Sequence, residues 1–167
     1  MQKLHNTKAL TLDSVAIEPR YSTILKDDKI DLEINDRAPI WASNDDATGT
    51  LEVASILSEA KVGTLLSSRY TVDELYNFFF EEKPYVAVSI GDTEGQIHKW
   101  NQLKSKLPAG NIHYVNLVTQ NAHSIEYIYK VAKFKEENKD VKIITGPVSD
   151  PTATRKLFEV GAEITRI

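Results

Sequence analysis

"VKIITGPVSDPTATRKLFEVGAEITRI", residues 141–167, holds a complete β-α-β unit. "VKIITG" (141–146) is a short run rich in β-branched residues, and Asp150-Pro151 then sets a capping carboxylate before a first-turn proline. Apolar residues recur at three and four through "DPTATRKLFEVG", and "AEITRI" (162–167) returns to a strand pattern. The same unit repeats toward the N-terminus. The predicted strands are "PIWAS" (39–43), "GTLLS" (63–67), "YVAVSI" (85–90) and "IHYVNLV" (112–118), followed by the two just described. Helix-period segments lie between them: "TLEVASILSEAK", "TVDELYNFFFEE", "EGQIHKWNQLKSKL" and "SIEYIYKVAKFKEEN". Thr71 with Glu74 three residues on has the form of a capping box. Strict alternation of strands with helices of this length implies parallel strands joined by right-handed crossovers, so the fold class is α/β. Six such strands suit either a doubly wound sheet or a barrel of eight that lacks two.

Composition narrows the function. The 167 residues are 41% hydrophobic and 26% charged, as in ordinary globular proteins. Lys and Arg number 20 against 24 Asp and Glu, for a net charge of -4, and the basic residues are scattered, which argues against a nucleic-acid partner. There is no cysteine, which excludes disulfides, thiolate metal sites and a cysteine nucleophile from this chain. No apolar run approaches the roughly 18 residues of a membrane span, and "MQKLHNTKAL" lacks a signal-peptide core, so no membrane partner and a cytoplasmic location are expected. Residues 1–37 differ from the rest: "LDSVAIEPRYSTI" and the polar "LKDDKIDLEINDR" read as an extended arm packing on a barrel domain of residues 38–167.

Four segments, "LDSVAIEPRYST", "APIWASNDDATGT", "LLSSRYTVDEL" and "KIITGPVSDPTATRKLFEVGAEITRI", resemble the N-terminal part of the GMP reductase and inosine monophosphate dehydrogenase family. That family carries D-V-L-x-x-P-x-x-S-T, P-I-x-x-A-N-M-D-T-V-G-T, A-G-N-V-x-T and G-A-D-x-x-K-V in the same order. Between "NFFFEEK" and "YVAVSIG" there is no room for the insert usual in the dehydrogenases, so GMP reductase is the nearer relative. The resemblance implies a TIM-type (β/α)8 barrel, here incomplete with about six parallel strands. It also implies NADPH-dependent conversion of GMP to IMP, with a glycine-rich cysteine loop that follows the last segment in the family.

Several polar family positions are changed here. A-N-M-D is Ser43-Asn44-Asp45-Asp46, H-K-H-Y is Ser67-Ser68-Arg69-Tyr70, and D-V-A-N-G-Y-S is Val118 through Ser124, with Val118 for the aspartate and Ala122 for the glycine. A-G-N-V is Thr145-Gly146-Pro147-Val148, and the closing lysine is Arg166. By resemblance, the nucleotide- or cofactor-facing candidates are Asn44, Asp46, Ser68, Arg69, Asn121, His123 and Gly146.

The residues alone suggest plainer roles for several of these. Asp45-Asp46 could form an acid/base pair, but adjacent residues leaving a strand diverge in direction, so a turn that caps the helix beginning near Thr50 is the preferred reading. Arg69 could grip phosphate, yet a lone arginine in a polar loop reads first as a surface charge. "SIGDTEG" lacks the spacing of a phosphate cradle and reads as a β-to-α turn. The four histidines are dispersed, and neither a metal site nor a catalytic residue is assigned. "YNFFFEE" and "IEYIYKVAKF" read as packing stripes. The expectation is a GMP-reductase-like partial barrel, without cofactor or turnover alone, completed by a second polypeptide carrying the missing strands or by a homo-oligomer. NADPH and a purine nucleotide would enter after completion. The alternative is a non-catalytic binding, regulatory or assembly protein.

Overall fold

The computed structural model describes residues 39–81 and 83–167. The arm expected over residues 1–37 lies outside them. Eleven elements alternate among the described residues: β1 (Trp41–Ala42), α1 (Leu51–Glu59), β2 (Gly63–Leu65), α2 (Val72–Phe79), β3 (Val86–Gly91), α3 (Glu94–Lys106), β4 (Tyr114–Val118), α4 (Ile125–Glu137), β5 (Lys142–Thr145), α5 (Pro151–Glu159) and β6 (Ile164–Thr165).

The helices begin where their caps dictate. Thr71 accepts from the Glu74 N–H at 3.3 Å while Glu74 Oε2 accepts from the Thr71 N–H at 2.7 Å, completing the capping box. Ser124 accepts from the Tyr127 N–H at 3.1 Å and Asp150 from the Ala153 N–H at 2.7 Å, with Pro151 in the first turn. Helix α2 stops at Phe79, short of the expected Glu82. Glu81 would bring a carboxylate to the negative end of the helix dipole, and Pro84 disfavours helical geometry at Lys83. The Asn111 side chain instead donates to the carbonyls of Phe79 and Phe80, at 2.9 and 3.0 Å, closing that end.

All six strands are parallel and lie in sequential order, β1-β2-β3-β4-β5-β6. This order decides between the two architectures. With crossovers of one hand, a sheet that never reverses its order carries every helix on one face and curls, whereas a doubly wound sheet must reverse. The result is an incomplete TIM-type barrel. Its inner strands β3 and β4 are the longest, while β1 and β6 reduce to two residues each, because each has a ladder partner on one side only among the described residues.

Period-two alternation divides the core. Val86, Val88, Ile90, Val115, Leu117 and Ile143 face the helices, where they meet Phe79, Trp100, Leu103, Val131, Phe134 and Leu157. Leu65, Ala87, Tyr114 and Ile144 face the other way, into the lumen, with Trp41 and Ile164 packed on them. The two registered neighbours of Ala87, Leu65 and Tyr114, confirm that these positions share a face. Trp41 reaches across the lumen to Tyr114, with ring centroids 5.2 Å apart and an edge-on angle of 64°. Its indole lies against Gly63 so closely that a Cβ there would fall 2.3 Å from the ring. The residues expected to form packing stripes do so in part: Phe79, Tyr127, Val131 and Phe134 are buried, while Phe80 and Tyr129 are exposed.

Candidate functional site

The loops that leave the C-terminal ends of the strands carry all seven candidates, which fall into separate small groups. After β1 the chain turns sharply. Asp45 Oδ1 accepts from the Ala47 and Thr48 N–H groups, each at 2.8 Å, and Oδ2 accepts from the Thr48 hydroxyl at 2.7 Å. The Thr48 backbone N–H, the Thr48 hydroxyl and the Ala47 N–H hold the Asp45 carboxyl below its ordinary range. Asp45 therefore builds the turn, but the helix cap belongs to Thr50, which accepts from the Val53 N–H at 3.1 Å. This corrects the reading that the turn at Asp45-Asp46 caps α1: residues 47–49 separate it from the capping Thr50.

Asp46 looks toward the β2 exit. Its Oδ1 accepts from the Ser67 hydroxyl at 2.9 Å and lies 3.6 Å from Arg69 Nη1, with both charged side chains largely exposed. The Arg69 guanidinium also stands 5.3 Å from the centre of the Tyr70 ring. Ser67 was not among the candidates, although it joins two of them. Ser68 presents its carbonyl, which accepts from Lys99 Nζ at 2.9 Å.

A second group spans the incomplete barrel. Arg166, which follows β6, donates from Nη1 to Asn44 Oδ1 at 3.1 Å and from Nη2 to the Gly146 carbonyl at 2.8 Å. Burial pulls the guanidinium below its ordinary value. Gly146 has φ of 117°, and a Cβ there would lie 2.6 Å from the Arg166 carbonyl, so both conformation and space require glycine. The Gly146-Pro147 peptide is cis. Arg166 thus brings Asn44 and Gly146 together.

The third group ties two loops. Asn121 Oδ1 accepts from the His123 N–H at 3.2 Å, and His123 Nε2 accepts from the Ser149 N–H at 3.3 Å, joining the β4-α4 loop to the β5-α5 loop. Below these loops the lumen turns polar. Asn116 Nδ2 donates to Ser89 Oγ at 2.8 Å, both side chains are buried, and Asn116 Oδ1 and Arg166 Nε have no hydrogen-bond partner among the described residues. The signal for this pair stood in "VAVSI" and "YVNLV", where one polar residue interrupts each apolar strand at a lumen-facing position. Among the described residues no group of three His, Cys, Asp or Glu could hold a metal ion. No helix there is long and apolar enough to cross a membrane.

Loops gathered at the C-terminal ends of parallel strands define a (β/α) barrel whose circle of strands is open among the described residues. No family model matches the chain. Curated relatives do: GMP reductase of Caenorhabditis elegans is 27% identical over 181 residues, covering 100% of this chain and 50% of the relative. GMP reductase of Citrobacter koseri is 27% identical over 173 residues, covering 95% and 49%. The solved inosine 5' monophosphate dehydrogenase of Legionella pneumophila superposes with a TM-score of 0.64 at 20% identity, over 76% of this chain and 38% of that one. The chain spans about half the length of the curated relatives it matches. The chain is thus similar along its length to part of these GMP reductases, and in fold to part of that inosine 5' monophosphate dehydrogenase.

Proposed function

We propose that this chain is a GMP-reductase-like half-barrel that does not turn over GMP alone and works once two further strands close its sheet. Those strands come from a second polypeptide or from another copy of the chain. One observation carries this reading: the edges β1 and β6 face a hollow of about 480 Å³ lined by Trp41, Leu65, Ile164, Thr165 and Arg166. Closing a barrel of this type takes eight strands, and the described residues supply six. The seam is apolar at its floor, where Trp41 and Ile164 already pack on the lumen cluster.

The chemistry such a completed barrel would perform, by its relatives, is reduction of GMP with NADPH. The residues present do not make a nicotinamide site by themselves. Val118 and Pro147 offer no side-chain hydrogen bond where the family has aspartate and asparagine, and the Arg166 Nη donors already serve Asn44 and Gly146. Nor does the chain hold a cysteine nucleophile. No hydride step is therefore assigned to it. Those same inward-turned polar groups favour a second reading, a non-catalytic binding or assembly subunit that keeps the scaffold.

Size-exclusion chromatography with light scattering, with and without GMP, followed by an assay of GMP-dependent NADPH oxidation, tests both readings. The expected result is no turnover by the chain alone, and turnover when a fragment bearing the remaining strands and the cysteine loop of a GMP reductase is added. Turnover by the chain alone would overturn the proposal. A defined oligomer that stays inactive with the fragment and shows no GMP-induced thermal shift selects the second reading.

A further inference from the structure

Helices α3 and α4 are fastened together at one end and parted at the other. At the closed end the rings of Trp100 and Phe134 lie 6.0 Å apart, and Trp100 Nε1 donates to Asn138 Oδ1 at 2.9 Å. Lys104 Nζ reaches the same oxygen at 3.1 Å and Asp140 at 2.8 Å. Toward the C-terminal ends of β3 and β4 the helices leave a hollow of about 160 Å³, walled by Ile97, Leu117, Phe134 and the Tyr127 ring. Asp92, Lys130, Lys133 and Glu137 also line it, and the Tyr127 hydroxyl is already committed, donating to the Leu117 carbonyl at 2.8 Å. Beside it, over the loop of residues 118–121, lies a more polar hollow of about 520 Å³, and the two share Asp92, Tyr127 and Lys130.

Charge at this mouth is unbalanced. Lys130 Nζ stands 3.1 Å from Asp92 and 2.9 Å from Glu126, so one ammonium serves two carboxylates. The pair with Glu126 lies within one helix at a spacing of four, so Lys130 keeps a partner if Asp92 is given to another cation, and half-exposed ion pairs of this kind are weak enough to exchange. An apolar cavity of about 150 Å³ is known to stay dry and to admit benzene. A small apolar compartment beside a few convergent polar groups is the usual form of a small-molecule site.

We infer that this cleft binds a small amphipathic amine, its apolar body about the size of a phenyl ring held among Ile97, Leu117 and Phe134 and its ammonium group on the Asp92 carboxylate. The inference does not rest on the proposed function: the apolar hollow lies on the helix side of the sheet, and it adjoins the rim only at Asp92 and the loop of residues 118–121.

Benzylamine, benzyl alcohol and benzoate serve as probes in amide NMR titrations of the full chain. Benzylamine should give saturable shifts at Asp92, Ile97, Lys130 and Phe134, with an affinity at least tenfold above benzoate and with benzyl alcohol between them. Asp92→Asn should weaken benzylamine about tenfold and leave benzyl alcohol unchanged. Ile97→Phe, which fills the hollow, should abolish binding of all three while the melting curve stays cooperative. If that variant does not fold, Asp92→Asn, which leaves the hollow intact, still decides the matter. Absence of saturable shifts at these amides overturns the site, as does equal binding of benzylamine and benzoate or an Asp92→Asn variant with unchanged preference.

Discussion

Arg166 and Asn44 stand 122 positions apart in the chain, yet their side chains meet at 3.1 Å and join the exit of the last strand to that of the first. The contact bridges the side of the barrel where, among the described residues, the sheet is open, and the Gly146 carbonyl anchors the same guanidinium at 2.8 Å. Hydrogen bonds from a charged donor contribute about 1.5–3 kcal/mol each. Arg166→Ala is therefore expected to destabilise the chain by about 1–3 kcal/mol in urea unfolding. A double-mutant cycle with Asn44→Ala should return a coupling of about 0.5–1.5 kcal/mol. Additive effects would show that the two side chains do not support one another.

The lumen pair predicts an asymmetry. Ser89→Ala leaves both polar ends of the buried Asn116 amide without partners and should cost about 1–3 kcal/mol. Asn116→Leu in turn leaves the buried Ser89 hydroxyl without the amide that donates to it, but takes the unpartnered Oδ1 away with it, so it should cost less, about 1 kcal/mol. The double variant should recover most of the loss caused by Ser89→Ala. Chemical denaturation of the three variants checks the order, and a neutral Ser89→Ala would contradict it.

At Gly63 the test is spatial. A Cβ would meet the middle of the Trp41 indole, which is wedged against Tyr114 and cannot swing aside cheaply. Gly63→Ala should destabilise by about 1–3 kcal/mol and shift the tryptophan emission as the indole leaves the lumen. Unchanged emission would mean that Trp41 does not fill this space.

Acid should weaken the turn at Asp45 and the start of α2. Asp45 and Glu74 are both held below their ordinary values of 3.8 and 4.5, by Thr48 with Ala47 and by Thr71 respectively. A carboxyl whose folded value is depressed contributes stability in full above its unfolded value and loses it as pH falls through the folded value. Asp45→Asn should therefore be less stable than the unsubstituted chain at neutral pH, and the gap should close on acidification below the ordinary aspartate value. Melting temperatures of both proteins along a pH series measure this. A gap that is constant with pH would rule out the titration of Asp45 as its source.

Features that depend on neighbours a few positions apart could be read directly from the amino-acid order. The capping box at Thr71-Glu74, the Asp150-Pro151 start and the spacing of Tyr127, Val131 and Phe134 are local, so helices α2, α4 and α5 and their buried faces follow from short-range sterics and hydrogen bonding. Alternation of strands and helices likewise established an α/β chain. Whether six strands lie flat or curl depends instead on their order, which is set by long-range pairing that no single strand encodes. Only the unbroken β1-to-β6 order placed every helix on one face. The candidate site divides in the same way. Asp45 as a turn builder and Asn121 as the acceptor for His123 are local, but Asp46 meeting Ser67 across 21 positions and Arg166 meeting Asn44 are products of strand register and curl. Sequence spacing does not constrain such pairs. The folded sheet sets the distance between its strand ends, and that distance decides which polar side chains can reach one another.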